Sequence, residues 1–386
     1  MPAMSRRRLL GSGLALSLLG PWGLRASPTI DANADWIPSD DLLRDLPRQM
    51  QALGVPGIGI AVVEGGQLAW SRGFGWRDAG DDAPVDDATL FEMASLSKPV
   101  FAYAVLKLVQ QGRLALDAPV LQYLPQGYRH AQDPLHPEQP GRSDEVSDPR
   151  LGKVTVRMLL QHTAGLPNWA RGPLHFEGTP GERWSYSGEG YVLLQRAVER
   201  VTQQPLDELM QTLVFAPLGM DHSGYRWTPR LDENLLLGTR VDGVVRQQVR
   251  MHQPVAAYSL YTTVDDYARF VLAWLNDPAL QAMASEAPVA VDPRLQLAWG
   301  LGWGLETSDQ GLGFWQWGNN PGYRAFVLAL PASGDALVLL TNSDGGLGLV
   351  EPLVRSALPG EHPVLASSFL SAGVFDTLCK VLRICI

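Results

Sequence analysis

Cysteine is nearly absent from this sequence. The 386 residues include only Cys379 and Cys385, and both lie in the last eight positions. The rest of the chain has no thiol from which to build a disulfide framework. Apolar residues make up 46% of the chain, which is enough for a substantial core. The length fits one large or two ordinary domains, held together by burial of apolar side chains.

Several chemical signatures are also missing. The seven histidines do not follow metal-ligand spacing, so we expect no metal. The sequence contains no G-x-S-x-G elbow, no phosphate loop and no dinucleotide fingerprint, and we expect no cofactor. The net charge of −9 is unfavourable for binding nucleic acid or anionic lipid. These absences leave a small-molecule enzyme or a binding protein as the classes to consider.

The chain begins with a short apolar run between Leu9 and Gly20, preceded by three arginines in "SRRRLL". This pattern is typical of a secretory signal, here of the twin-arginine kind, with small residues ending near Ala26. We predict a cleaved signal peptide over residues 1–26 and a periplasmic or secreted protein without a membrane span. A membrane anchor is the weaker alternative, because the run is short for a bilayer. Cleavage would move the net charge from −9 to −13.

Hydrophobic periodicity predicts strands at both ends of the chain and helices between them. "GIGIAVVEGGQLAWSRGFGWRD" (57–78) has two apolar stretches around Gly65-Gly66, which predicts a hairpin. Later strands are expected at 299–306 and 312–317 and in a hairpin over 324–344. Between them, helices are expected at 156–162, 189–202, 206–215 and 264–275.

We predict an α/β (α+β) fold in a hydrolase domain spanning 27–362. Segments 45–112 and 295–358 would form an antiparallel sheet of two early and three late strands, flanked by helices, and 113–294 a mostly helical part. Residues 127–153 are interpreted as a surface loop. The tail 363–386 is either a docking helix or a poorly ordered terminus.

Lysine is scarce as well: four residues against 27 arginines. One of them, Lys98, follows Ser95 by three positions in "FEMASLSKPVFAYAVLKLV", at a predicted entry from strand to helix. Residues at i and i+3 share a helix face, so the amine can reach the hydroxyl. A desolvated lysine can accept the serine proton, whereas arginine stays protonated. For "SLSK" alone, a capping serine beside a solvated lysine is an equal alternative.

Six sequence blocks in one order distinguish these alternatives: "FEMASLSKP", "LLQHTAGLP", "PGERWSYSGEGYVLL", "PLGM", "WGLGW" and "QWGNNPGY". Together, over about 46–344, they resemble the serine hydrolases related to class C β-lactamases and DD-peptidases. The resemblance implies a β-lactamase/transpeptidase-like fold with the active site between its two parts. It also implies an acyl-enzyme mechanism on small esters, amides or lactams.

By position in these blocks, Ser95 matches the family's nucleophile, Lys98 its lysine and Tyr186 its catalytic tyrosine. Two adjacent cations would favour the Tyr186 anion and let it shuttle a proton. The resemblance places the oxyanion hole at the backbone N–H groups of Ser95 and Asn319. In "QWG", Gly318 would allow close approach of the substrate to the backbone.

Two positions depart from the family's pattern. Gly188 stands where many members have an asparagine that holds an acylamino side chain. Gln316 replaces the cation near the substrate carboxylate, and a neutral amide cannot supply its charge. Arg324 could compensate, although a plain surface arginine is the more common case.

The departures predict a preference for small neutral esters or amides. Trp184 and Trp317 are candidate substrate contacts within an aromatic set that could line an acyl pocket, although most such residues are core. The rest of the set is Trp169, Tyr191, Trp315 and Tyr323. The alternatives are a class C-type β-lactamase, a DD-peptidase or D-aminopeptidase, and a sensor that is acylated but barely deacylates.

Overall fold

A computed structural model describes residues 39–77, 83–132 and 142–371. Its centre is an eight-stranded antiparallel sheet. The strands are β1 Gly57–Glu64, β2 Gln67–Gly75, β7 Val289–Asp292, β8 Leu297–Trp299, β9 Gly304–Ser308, β10 Gly311–Asn320, β11 Tyr323–Leu330 and β12 Asp335–Thr341. Their order across the sheet is β2-β1-β12-β11-β10-β9-β8-β7. Two small pairs join β3 Phe91–Glu92 to β6 Tyr261–Thr262 and β4 Arg129–Ala131 to β5 Ser143–Glu145. The early hairpin closes on the last strand, since β1 pairs with β12.

Helices cover both faces of the sheet, and most of them lie in the segment between its early and late strands. They are α1 Asp40–Leu53, α2 Ser97–Gln110, α3 Val156–Leu160, α4 Gly188–Thr202, α5 Leu206–Met210, α6 Ala216–Leu218, α7 Val264–Leu275, α8 Pro278–Ser285 and α9 Val350–Ala357. A π-helical turn, Gln211–Phe215, joins α5 to α6. A 3-10 helix, Ala94–Leu96, leads directly into α2.

Successive side chains point to opposite faces of a strand, so β1 contributes side chains to two hydrophobic cores. Ile58, Ile60 and Val62 share one core with residues of α1 and α9. Ala61 and Val63 face the other core, which contains α2 and α7. Helix α2 is buried nearly all round, from Ser97 to Leu106. The start of α2 therefore lies inside the protein, where a lysine loses most of its contact with water.

The predicted fold class is confirmed, and so is the hairpin at Gly65-Gly66. The sheet differs from the prediction in having six late strands rather than three. The expected strand 299–306 is two strands, because a turn over 300–303 separates β8 from β9. β7 has an irregular apolar pattern and gave no strand signal.

The predicted surface loop at 127–153 is also corrected, since it contains the β4/β5 hairpin. Its His130 is fully buried, which a polar sequence pattern does not reveal. The expected signal peptide and residues 372–386 of the tail lie outside the described residues. The described part of the tail contains a 3-10 helix, Pro363–Ala366. Over the described ranges, no helix combines the length and apolarity needed to cross a bilayer.

Candidate active site

Ser95 lies at a strained turn between β3 and α2. Ala94, just before it, has φ +48°, a left-handed conformation that non-glycine residues seldom adopt. From Phe91 to Val100 every residue except Ser95 is buried, so the turn presents this hydroxyl alone to solvent. The hydroxyls of Tyr225 and Tyr267 donate hydrogen bonds to the carbonyls of Ser97 and Leu96, respectively, and so hold the turn in place.

Lys98 occupies the first turn of α2, as its spacing from Ser95 predicted. Its Nζ lies 3.2 Å from Ser95 Oγ and donates to the Ala257 carbonyl at 2.8 Å. The side chain is 1% exposed. Burial lowers the pKa of Lys98 to about 7, because the charged amine loses its hydration. Near neutral pH a large share of this amine is unprotonated and able to accept the serine proton.

Tyr186 is held on both sides by His162. The N–H of Ser185 donates to the His162 carbonyl at 2.8 Å, and the N–H of Ser187 donates to His162 Nδ1 at 3.1 Å. The two rings lie 4.3 Å apart. Burial, and then the charge of Lys98, hold the pKa of His162 well below its usual value. The imidazole is therefore neutral and acts as an acceptor, which supports the loop that carries Tyr186.

Gln316 connects the tyrosine to the nucleophile. Its Nε2 donates to Tyr186 Oη at 3.0 Å and to the Ser95 carbonyl at 3.2 Å. It lies on β10 just beyond the pairing with β9, which ends at Trp315. The strand edge from Gln316 to Asn320 is therefore free of a partner strand in the described part of the chain.

The expected Tyr186 anion is not supported. Burial raises the pKa of Tyr186 above its usual value, and its hydrogen bonds with Ser95 and Gln316 only partly offset this effect. Lys98 Nζ lies 4.8 Å from the ring centroid, but the second expected cation is missing because Gln316 is neutral. Tyr186 is therefore a neutral phenol that can donate its proton.

Gly318 allows a close contact with the nucleophile turn, whereas the sequence predicted a close contact with the substrate. A Cβ there would lie 2.7 Å from the Met93 carbonyl and 3.2 Å from Ala94 Cβ. The missing side chain thus lets β10 contact the nucleophile turn itself. Asn319, the predicted oxyanion donor, is exposed at the open edge of the sheet.

Arg324 has a structural environment that does not support its predicted contact with a substrate carboxylate. It is 7% exposed and pairs with Asp344 at 3.0 Å. It also donates to the carbonyls of Asn320 and Tyr323. These bonds stabilise the β10/β11 turn, and the missing positive charge is not replaced by this residue.

A cluster of aromatic side chains packs around the Tyr186 ring. Trp317 lies 5.0 Å and Trp184 6.3 Å from its ring, and both indoles are half-buried. Phe369, from the tail, stacks on Trp317 at 4.7 Å. Of the other proposed pocket residues, three are buried in the cores: Tyr191, Trp315 and Tyr323.

Several residues around the site were not predicted from the sequence. Glu92 is buried beside Asn320, to which it is hydrogen-bonded, and burial raises its pKa to about 7. The Ala257 carbonyl that binds Lys98 comes from a loop without any motif. Phe369 lies far along the chain in an apolar tail. Within the described ranges, no cluster of three potential metal-binding side chains occurs.

A solvent-accessible serine, a buried lysine with a pKa near neutrality and a tyrosine joined to the nucleophile turn through Gln316 are the parts of a serine hydrolase. The Beta-lactamase family matches residues 43–357, and the chain belongs to this family. It is a beta-lactamase-family serine hydrolase.

Proteins similar to this chain include an esterase and a penicillin-binding protein. The chain is 32% identical to esterase EstB of Burkholderia gladioli over 210 residues, which cover 46% of this chain and 48% of the esterase. It is 25% identical to penicillin-binding protein 4* of Bacillus subtilis over 77% of this chain and 70% of that protein. The chain thus spans only about half of the esterase that it resembles.

Solved structures show the same fold at low sequence identity. A D-alanine carboxypeptidase AmpC from Burkholderia cenocepacia aligns with TM-score 0.66 and 20% identity, over 85% of this chain and 98% of that one. A class C beta-lactamase aligns with TM-score 0.68 and 20% identity, over 83% and 96%.

Proposed function

We propose that this protein hydrolyses small neutral esters or amides through an acyl-enzyme on Ser95. The observation that carries the proposal is the Gln316 side chain, a neutral amide bonded to both Tyr186 and the nucleophile turn. Arg324 pairs with Asp344 within the fold, so it is not available to a substrate carboxylate beside Gln316. The likeness to an esterase supports the same substrate class.

The mechanism follows from the contacts. Ser95 Oγ attacks the substrate carbonyl carbon while Lys98 Nζ accepts the hydroxyl proton over 3.2 Å. The N–H groups of Ser95 and Asn319 stabilise the resulting oxyanion. Tyr186 protonates the leaving alcohol or amine as the acyl bond breaks, and the Lys98 proton restores the phenol. Water then attacks the acyl carbonyl and gives up a proton to Lys98, which passes it to Ser95 Oγ as the ester bond breaks and the acid is released.

A direct comparison of substrates tests this proposal. Steady-state hydrolysis of a short-chain nitrophenyl ester is expected to be at least about tenfold faster in kcat/KM than that of a chromogenic cephalosporin, since a missing charge-assisted bond costs about that factor. Ser95→Ala is the blank and should be inactive on both. Faster cephalosporin turnover would favour a β-lactamase, and a single stoichiometric burst would favour an acylated sensor.

Restoring the charge gives a second test. Gln316→Lys is expected to raise cephalosporin kcat/KM about tenfold, because a buried cation beside Tyr186 strengthens binding of the carboxylate and lowers the pKa of the phenol. Gln316→Met matches the length without charge or hydrogen bond and should lower activity on every substrate. No gain with lysine in a correctly folded variant would contradict the argument.

The proposed place of action is outside the cytoplasm, as the arginine-rich start of the chain suggests. Fractionation of expressing cells should place the mature protein in the periplasm or medium, shortened near Ala26. Retention of the full-length chain in the cytoplasm would refute this.

A further inference from the structure

The first residue of α4, Gly188, lies against an indole ring. A Cβ built on Gly188 would come within 2.5 Å of Trp169 Cζ2 and 2.6 Å of Cζ3. Real Cβ atoms do not approach other atoms this closely. The volume in which a side chain at this position would lie is therefore already filled by Trp169.

Trp169 connects the two sides of the active site. On one side it contacts Gly188, two residues after Tyr186. On the other it meets Tyr258 edge-on, with ring centroids 5.4 Å apart. Tyr258 follows Ala257, whose carbonyl binds Lys98. The indole is half-buried, so part of it is exposed to solvent. It thus lies between the segment that carries Tyr186 and the segment that binds Lys98.

The loop that carries Trp169 is fixed on both sides of the indole. Before it, the Asn168 side chain accepts from the N–H of Gly188 at 3.0 Å. After it, the N–H of Ala170 donates to Glu189 at 2.8 Å. Buried His130 then links Glu189, at 3.3 Å, to Asp144, which accepts from the N–H of Leu174. A ring held by this network resists displacement by a substrate.

We propose that Trp169 is a specificity-determining residue that limits the acyl group of the substrate to short, unbranched chains. The indole takes the place of a side chain at position 188 and excludes acylamino or other bulky acyl substituents. This inference rests on the proposed esterase function and narrows its substrate class.

The test compares nitrophenyl acetate with nitrophenyl phenylacetate. The wild type should prefer acetate, and Trp169→Ala should shift the kcat/KM ratio toward phenylacetate by at least about tenfold, the effect of a few methylene groups in a pocket. Trp227→Ala, which removes an indole that packs on His252 and Arg250, is the control and should leave the ratio unchanged. An unchanged ratio in Trp169→Ala, with acetate hydrolysis intact, would overturn the inference while the proposed function stood.

A double-mutant cycle tests the steric claim without any substrate. Gly188→Ala should lower Tm markedly, and the same change in a Trp169→Ala background should lower it far less. Trp169→Phe serves as a second background if the alanine variant does not fold. The Tm measurement tests the steric claim even if the wild type hydrolyses no ester. Absence of ester hydrolysis would refute the proposed function but not the packing of Trp169 against Gly188. Equal Tm losses in the two backgrounds would refute the role of Trp169.

Discussion

Replacing Lys98 by arginine is expected to lower ester kcat/KM by about 10²- to 10⁴-fold, the usual contribution of a positioned general base. Arginine keeps its proton, so it cannot accept the one that Ser95 must lose. Lys98→Met, of similar length and uncharged, should show a comparable loss and separates loss of the base from crowding. The measurement is steady-state hydrolysis, with folding checked by circular dichroism. Near wild-type rates in either variant would exclude Lys98 as the base.

The pH dependence of the wild-type enzyme gives a second test of Lys98 as the base. Because the pKa of Lys98 is about 7 and the neutral amine is the active form, kcat/KM should be flat above pH 7. Below it, kcat/KM should fall about tenfold per pH unit, as for loss of a single base. Glu92 also has a pKa of about 7 and could produce the same limb. Glu92→Gln should still show the fall in kcat/KM below pH 7 if protonation of Lys98 causes it. Disappearance of this fall in Glu92→Gln would assign it to Glu92.

Adding one methyl group at Gly318 is expected to have the second large effect. The new Cβ would lie 2.7 Å from the Met93 carbonyl, so β10 must move away from the nucleophile turn. Overpacking of this kind costs about 1–3 kcal/mol of stability. A shift of about 1 Å in the contacts of Gln316 should lower kcat/KM by about 10²-fold.

Gly152→Ala is the matched control for this substitution, since its Cβ would meet no atom within 4 Å. Tm and kcat/KM should both remain near wild type there, and both should fall in Gly318→Ala. A stable and active Gly318→Ala variant would show that β10 has room to adapt, and would exclude close packing as the reason for this glycine.

The parts of the site that depend on local geometry could be predicted from sequence. Ser95 and Lys98 are one helical turn apart, so their contact follows from spacing alone. Tyr186 and Gln316 could be assigned only by resemblance, because 130 residues separate them. Their hydrogen bond requires the complete fold.

Other features depend on packing that no sequence pattern encodes. From the sequence, Gly188 indicates only that the asparagine side chain found in many family members is missing. The structure shows that the Trp169 indole occupies the volume of a side chain at this position. Burial raises the pKa of Tyr186, and neutral Gln316 stands where one of the two expected cations would be, so the structure favours the protonated phenol. His130 lies in a polar segment and is nonetheless buried between two carboxylates. Desolvation and side-chain contact are properties of the folded chain, so they escape a local analysis.

The sheet joins strands from opposite ends of the chain, with β1 beside β12 and Gln316 bonded to a carbonyl 221 residues earlier. During synthesis, the nucleophile turn therefore leaves the ribosome long before the strand that completes its surroundings. Unfinished chains should be catalytically silent, and cleavage between the two halves should abolish hydrolysis unless the fragments reassociate. Activity in this protein thus reports that synthesis has passed β12 and that the two ends of the sheet have joined.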